Sequence, residues 1–122
     1  MTARKVAWGD VLLVALPGHV PSGKEQEGMR PAVVVGIPPQ PVRYPVLILA
    51  PLTSQRGRWS EANPRLYPAL GPGVAGLRTA STVLVDQLRA CDVTRIKGLI
   101  GKLDASAADQ VLAALRAVLG LR

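Results

Sequence analysis

The side chains able to do chemistry in this chain are few, and their types narrow the chemistry. With one Cys and one His, a disulfide framework and a Cys/His zinc site built within one chain are both excluded. No set of converging metal ligands, no His placed beside a nucleophilic Ser or Cys, and no spaced glycines ahead of a helix are found. Cys91 follows an apolar run and reads as a packed thiol rather than a reactive one. His19 stands in a loop between Gly18 and Val20, where a solvated imidazole is the ordinary case and a general base the alternative. What remains is chemistry by Arg, Glu, Asp, Ser and Thr at strand ends. Arg30 precedes Pro31, which keeps its backbone extended and sets the guanidinium at the mouth of a polar loop. Phosphate binding and an ion pair to Glu25 or Glu27 suit that position equally. Thr53 and Ser54 close another apolar run, and hydroxyls there ordinarily satisfy their own turn. Gln55, Arg56, Gly57, Arg58 and Trp59 follow directly. Two guanidiniums beside an indole suit phosphates and an unpaired base, and the alternative is a solvated loop with Trp59 folded back on the body of the protein.

Composition bounds what these residues can serve. Lys and Arg number 15 against 8 Asp and Glu, a formal charge of +7, and this favours a polyanionic partner without separating nucleic acid from an anionic membrane. There is no Phe, and aromatic residues make up 3%, so the aromatic platform of an RNA-recognition sheet is ruled out. At 122 residues, 48% of them hydrophobic, the chain is expected to form one domain over residues 1–122 rather than a disordered segment. No apolar run approaches a membrane span, and Trp8, Gly9 and Asp10 break the stretch after Arg4 and Lys5 where a signal peptide needs continuity. The expectation is a cytoplasmic protein with no membrane partner and no cofactor.

The elements that must position these residues are mostly short strands. Apolar runs at 11–16, 31–37 and 44–52 are separated by Pro- and Gly-rich breaks, the punctuation of a small all-β barrel or sandwich. A weaker run at 66–70 is assigned to an edge, because Pro68 cannot donate to a ladder. Residues 81–88 read as one central strand, since their apolar residues are consecutive rather than alternating. Polar loops fall at 17–29 and 54–64. The period then changes: Ala108, Val111, Leu112, Leu115, Val118 and Leu119 mark one face of an amphipathic helix. Asp104 or Ser106 is placed to cap its start, and Gly120 to end it. A helical turn near 93–97 is possible without support from periodicity.

Several blocks of this sequence occur together in a known family. Gly9, Asp10 and Val11, followed by the run GKEQEGMRPAVV from Gly23 to Val34, resemble the first strand, loop and G-x-E-Q-x-G-x-R-P signature of the MazF/PemK toxins of bacterial toxin–antitoxin systems. The residues PLTS from Pro51 to Ser54 resemble the family's P-[IVL]-T-S strand end. STVLVDQLR from Ser81 to Arg89 resembles its S-x-V-L-x-[DE]-Q-[IL]-R block. Arg95 and Ile96, then Ile100 to Leu103 and the terminal helix, resemble its closing pattern. The blocks come in the family's order and cover nearly the whole chain.

The resemblance implies a mainly β fold, a small SH3-like barrel of the MazF/CcdB type with a C-terminal helix, assembled as a homodimer. It implies a toxin acting as a sequence-specific, metal-independent endoribonuclease on single-stranded RNA, leaving 2′,3′-cyclic phosphate and 5′-hydroxyl ends, and held in check by an acidic, MazE-like antitoxin. In that family the Arg of R-P and the Thr of T-S carry cleavage, which corresponds to Arg30 and Thr53; Glu25 and Asp86 both suit substrate positioning or proton transfer, with Glu25 the candidate proton acceptor. Lys24, Gln26, Ser54, Asp86 and Gln87 then join Arg56, Arg58 and Trp59 as expected RNA contacts. The PemK branch has His where Lys24 stands and Arg where Leu84 stands, so a mechanism that needs those two groups does not carry over, and base preference is left open. The alternative on the same barrel is a non-enzymatic toxin that binds a protein target such as gyrase, and it would need neither Arg30 nor Thr53.

Overall fold

Runs rich in Val and Leu supply side chains for both faces of a pleated strand, so consecutive apolar residues are buried only if both faces are covered. The computed structural model describes residues 5–18 and 28–122, and there both faces are covered, each in a different way. Strands β1 (Asp10–Leu16), β2 (Gly28–Gly36) and β3 (Val46–Thr53) form an antiparallel core, with Val11 opposite Val33 and Val33 opposite Ala50. β4 (Ala69–Leu70) and β5 (Ser81–Val83) extend the sheet beyond one end of β3, β6 (Arg89–Asp92) pairs with the other end, and β7 (Ile96–Lys102) flanks β1. On one face Val11, Val33, Leu52 and Val83 pack against Val111, Ala114 and Leu115 of helix α2 (Ala105–Leu119). On the other, Leu12, Val14, Val34 and Leu49 form a second cluster that joins Cys91 on β6 to Ile96 on β7. Those two strands lie at opposite ends of the series β6, β3, β2, β1, β7. Only a curled sheet brings them into one cluster, so the fold is a half-barrel. Register shifts along β1–β7 and β2–β3 supply the bending.

Helix α2 begins and ends on local signals. Asp104 Oδ1 accepts from the Ala107 N–H at 2.8 Å, which settles the choice between Asp104 and Ser106, and Gly120 takes φ 70° at the other end. Its buried side is narrower than the sequence stripe. Ala107, Val111, Ala114 and Leu115 are buried, whereas Leu112, Val118 and Leu119 are exposed. Small residues at 107 and 114 let the helix sit close to the sheet, and the larger residues on either side then fall outside the contact.

Three further expectations change. β2 starts at Gly28 rather than 31, which takes Met29 and Arg30 into the ladder opposite Ala15 and Val14. The loop 54–64 contains a short helix, α1 (Arg58–Ala62). Residues 81–88 are not one strand. They divide into β5, a 3-10 turn over Val85–Gln87, and then β6. The cause lies across the ladder. The Pro51 carbonyl accepts from the Leu84 N–H at 2.8 Å, and because a strand residue presents its nitrogen and carbonyl to the same edge, the protonless nitrogen of Pro51 faces this edge too. Residues 84–88 therefore bulge past a stretch of β3 occupied by Ala50 and Pro51, between the pair Leu52 and Val83 and the pair Leu49 and Arg89. The weak run at 66–70 reduces to β4 at the sheet edge, where the Pro68 carbonyl still accepts from the Val83 N–H at 2.9 Å. The possible turn near 93–97 is a 3-10 turn over Val93–Arg95, capped by Asp92 Oδ1 accepting from the Thr94 N–H at 2.8 Å.

Candidate functional site

The end of the sheet where β1 stops, β2 starts and β3 stops gathers the candidate residues. β2 and β3 pair with Val34 opposite Leu49 and Ala32 opposite Pro51. Continued two residues further, the same register sets Arg30 across from Thr53, and side-chain alternation puts both on the face of Ala32 and Pro51. Arg30 is exposed, whereas Thr53 is 6% exposed. Thr53 Oγ1 accepts from the Gln55 N–H at 3.1 Å, so it does serve its own turn. Accepting uses a lone pair and leaves the hydroxyl proton to donate. Lys24, Glu25 and Gln26, with His19, lie outside the described residues.

Beside Thr53 opens a cleft of about 370 Å³ lined by Thr53, Gln55, Trp59, Tyr67, Leu84, Asp86 and Gln87. The bulge opposite Pro51 sets its back wall. Because residues 85–87 turn instead of pairing, Asp86 and Gln87 face the cleft rather than a neighbouring strand. Helix α1 supplies the side wall. Its first turn is tied by Ser60 Oγ, which accepts from the Gly57 N–H at 3.3 Å and donates to the Gly57 carbonyl at 2.9 Å. Trp59 folds back over Gly57, where a Cβ would stand 2.8 Å from Trp59 Nε1. It meets Tyr67 edge to face, ring centres 4.9 Å apart at 87°, and remains 42% exposed. Both readings of Trp59 are thus partly met: it leans on its own loop and still offers indole surface to the cleft.

Tyr67 ties the two walls together. Its hydroxyl donates to Asp86 Oδ2 at 2.6 Å. That hydrogen bond, then burial, then the carboxylate's charge, raise the phenol above its ordinary value, so Tyr67 acts as a hydrogen-bond donor near neutral pH and not as a base. Across Tyr67 lies a smaller cleft of about 200 Å³ that includes Arg56, Ser60, Glu61 and Thr82.

The structure therefore brings together Thr53, Trp59, Asp86 and Gln87 of the expected residues. Ser54 and Arg58 are exposed outside the cleft lining, and Arg56 lines the second cleft. Gln55, Tyr67 and Leu84 complete the lining without having been expected there. Tyr67 stands 19 residues from Asp86, a separation with no local signature. Cys91 is buried in the second cluster, and burial pushes its thiol pKa up, against the lowering influence of Arg95 and Arg89. Among the described residues no three His, Cys, Asp or Glu side chains converge as metal ligands, and no helix is long and apolar enough to cross a membrane.

Comparison with solved structures returns the same fold. The toxin MazF-mt6 of Mycobacterium tuberculosis aligns at TM-score 0.65 and 19% identity, over 93% of this chain and 98% of that one. MazF from Deinococcus radiodurans aligns at 0.70 and 23%, over 95% and 97%. A mycobacterial endoribonuclease in complex with its cognate antitoxin aligns at 0.71 and 19%, over 97% and 98%. The chain matches no curated protein by sequence. Residues 7–119, however, match the family described as PemK-like, MazF-like toxin of type II toxin–antitoxin system. With that match running through the strands, the cleft and the terminal helix, this chain belongs to the PemK/MazF toxin family.

Proposed function

We propose that this toxin is an endoribonuclease that cuts single-stranded RNA by attack of a ribose 2′-oxygen on the adjacent phosphorus. The 2′-oxygen bonds to phosphorus as the bond to the 5′-oxygen breaks, giving a 2′,3′-cyclic phosphate and a 5′-hydroxyl. A base must take the 2′-proton, and an acid must give one to the departing oxygen. The β2–β3 register, carried two residues beyond its last pair Ala32 and Pro51 to Arg30 and Thr53, supports the reading. A guanidinium and a hydroxyl on one face of adjacent strands can hold two oxygens of a single phosphate, Arg30 by charge-assisted bonds and Thr53 by a neutral one. Arg stays cationic at working pH, so Arg30 stabilises charge and does not accept the proton. Glu25, from the family correspondence, is the proposed acceptor. No step calls for a metal ion.

The +7 balance suits both RNA and an acidic antitoxin, and one of the structural neighbours is held by its cognate antitoxin. Leu112, Leu119 and Leu121 are exposed, and covering them between two copies supports the homodimer.

The test is cleavage of a long RNA in chelator, with the new ends identified chemically. Cyclic phosphate and 5′-hydroxyl ends are expected. Cutting that stops in chelator and returns with magnesium overturns the metal-free step, and a folded chain that cuts no RNA under either condition passes the role to the protein-binding alternative.

A further inference from the structure

We propose that the cleft walled by Trp59, Tyr67 and Asp86 is a nucleobase subsite selective for guanine over uracil, an inference that rests on RNA being the substrate. Asp86 is an acidic group in the cleft of a chain of net charge +7. Toward a polyanion's phosphates that carboxylate is repulsive, so the part of RNA it suits is a base edge that carries N–H groups. An ionised carboxylate only accepts hydrogen bonds, and its two oxygens offer about four lone-pair positions. The Tyr67 hydroxyl occupies one of them at 2.6 Å. That bond fixes the carboxylate's orientation and leaves acceptor positions turned to solvent, since Asp86 is exposed.

The bases differ in what they show such a group. Guanine presents a ring N–H and an amino group side by side, which matches a carboxylate directly. Uracil presents one N–H between two carbonyl oxygens, and these meet the carboxylate with like charge. Adenine and cytosine, with one amino group each, fall between. Gln87 lines the same wall, and a side-chain amide both donates and accepts, so it complements the guanine carbonyl next to the ring N–H. The exposed indole of Trp59 gives the flat surface on which the base is held, and Thr53 in the same lining keeps the base next to the proposed phosphate position.

A structural role alone is the competing account, in which the Tyr67–Asp86 bond merely ties the chain around 67 to the turn at 85–87. Asp86→Asn separates the two, because the amide oxygen still accepts from Tyr67 while the other arm becomes a donor. The probes are 2′-O-methyl uridine decamers, which cannot be cut by 2′-attack, either unmodified in sequence or carrying one central guanosine. Binding is read by fluorescence anisotropy. The wild-type chain is expected to bind the guanosine decamer about tenfold more tightly, the scale of one good base-edge pair, and Asp86→Asn to reduce that ratio to about threefold or less. Tyr67→Phe, which frees the carboxylate without removing it, gives an intermediate ratio. A ratio unchanged in folded Asp86→Asn, or no preference in the wild-type chain, overturns the subsite. Cleavage in chelator reports separately on the ribonuclease reading. A chain that prefers guanosine yet cuts nothing keeps the subsite and loses the nuclease, and one that cuts with the same preference in both forms keeps the nuclease and loses the subsite.

Discussion

The two edges of β3 are built on opposite plans. Along the edge shared with β2 one register shift lies between Val34 and Gly36, the ladder then runs unbroken to the pair Ala32 and Pro51, and the same register carried two residues further sets Arg30 across from Thr53. Along the other edge the protonless nitrogen of Pro51 interrupts pairing, and residues 84–88 swing out between β5 and β6. Pairing with Val14 of β1 holds the Arg30 backbone and pairing with Thr82 of β5 holds that of Thr53, and strand pairing of this kind gives the tolerance that holding one phosphate demands. A bulge instead frees side chains from strand alternation and aims them elsewhere, and here it turns Asp86 and Gln87 toward the cleft. On the proposed reading β3 separates two tasks, with Arg30 and Thr53 for the phosphate where it runs beside β2, and Asp86 and Gln87 for a base where pairing on its other edge is interrupted.

That division is most sharply tested on the edge shared with β2. Arg30→Ala should lower the single-turnover cleavage rate at saturating RNA by about 100-fold or more, the scale of one missing transition-state donor. Because Arg30 is exposed, its melting midpoint should move by less than about 4 °C. Thr53→Val should lower the same rate by about tenfold. It should also cost about 1 kcal/mol or less of stability, since the Gln55 N–H loses its side-chain acceptor but lies where water can reach it. If Arg30→Ala leaves the saturated rate intact and only weakens binding, the edge shared with β2 holds RNA without taking part in bond breaking.

On the broken edge the expected effect is smaller and of another kind. Pro51→Ala returns an N–H to face the bulge. Stability should fall by about 1 kcal/mol or less, largely because the unfolded chain gains freedom. The preference between guanosine and uridine decamers should narrow by about threefold as the turn at 85–87 shifts. The saturated cleavage rate should stay near the wild-type value. Equal losses in rate and in preference would mean that the two edges work as one unit.

What could be read from the sequence follows the same line between local and distant causes. β1, β2 and β3 show as dense β-branched runs between prolines and glycines, and α2 shows its caps at Asp104 and Gly120, because each signal and its effect lie within a few residues. The division of 81–88 was hidden because its cause, Pro51, sits on a different strand, and the consecutive burial of Val83, Leu84 and Val85 imitates a central strand. The exposure of Leu112, Val118 and Leu119 was hidden as well. Periodicity marks an apolar stripe but not which part of it the sheet covers. The block resemblance pointed to Thr53, Asp86 and Gln87, and the nearby loop to Trp59. Tyr67, which joins the cleft walls, depends on a contact between segments far apart in the chain.

The smallest effect expected comes from outside both edges, at Arg56 and Arg58. Arg56 faces the second cleft, with Tyr67 between it and the base cleft, and Arg58 opens α1 on the surface. Neither lies on the β2–β3 face that Arg30 and Thr53 share, so on the proposed reading neither stabilises charge on the phosphorus, but both can meet phosphates along the strand on either side. Replacing both by Ala should weaken RNA binding and flatten its salt dependence by a log–log slope of about 0.7 for each phosphate no longer neutralised. The cleavage rate at saturating RNA should change by less than about twofold, because this weaker binding acts on ground state and transition state alike. A large fall in the saturated rate with binding preserved would extend the bond-breaking machinery into the loop that carries α1, and the separation of tasks would no longer end at the edges of β3.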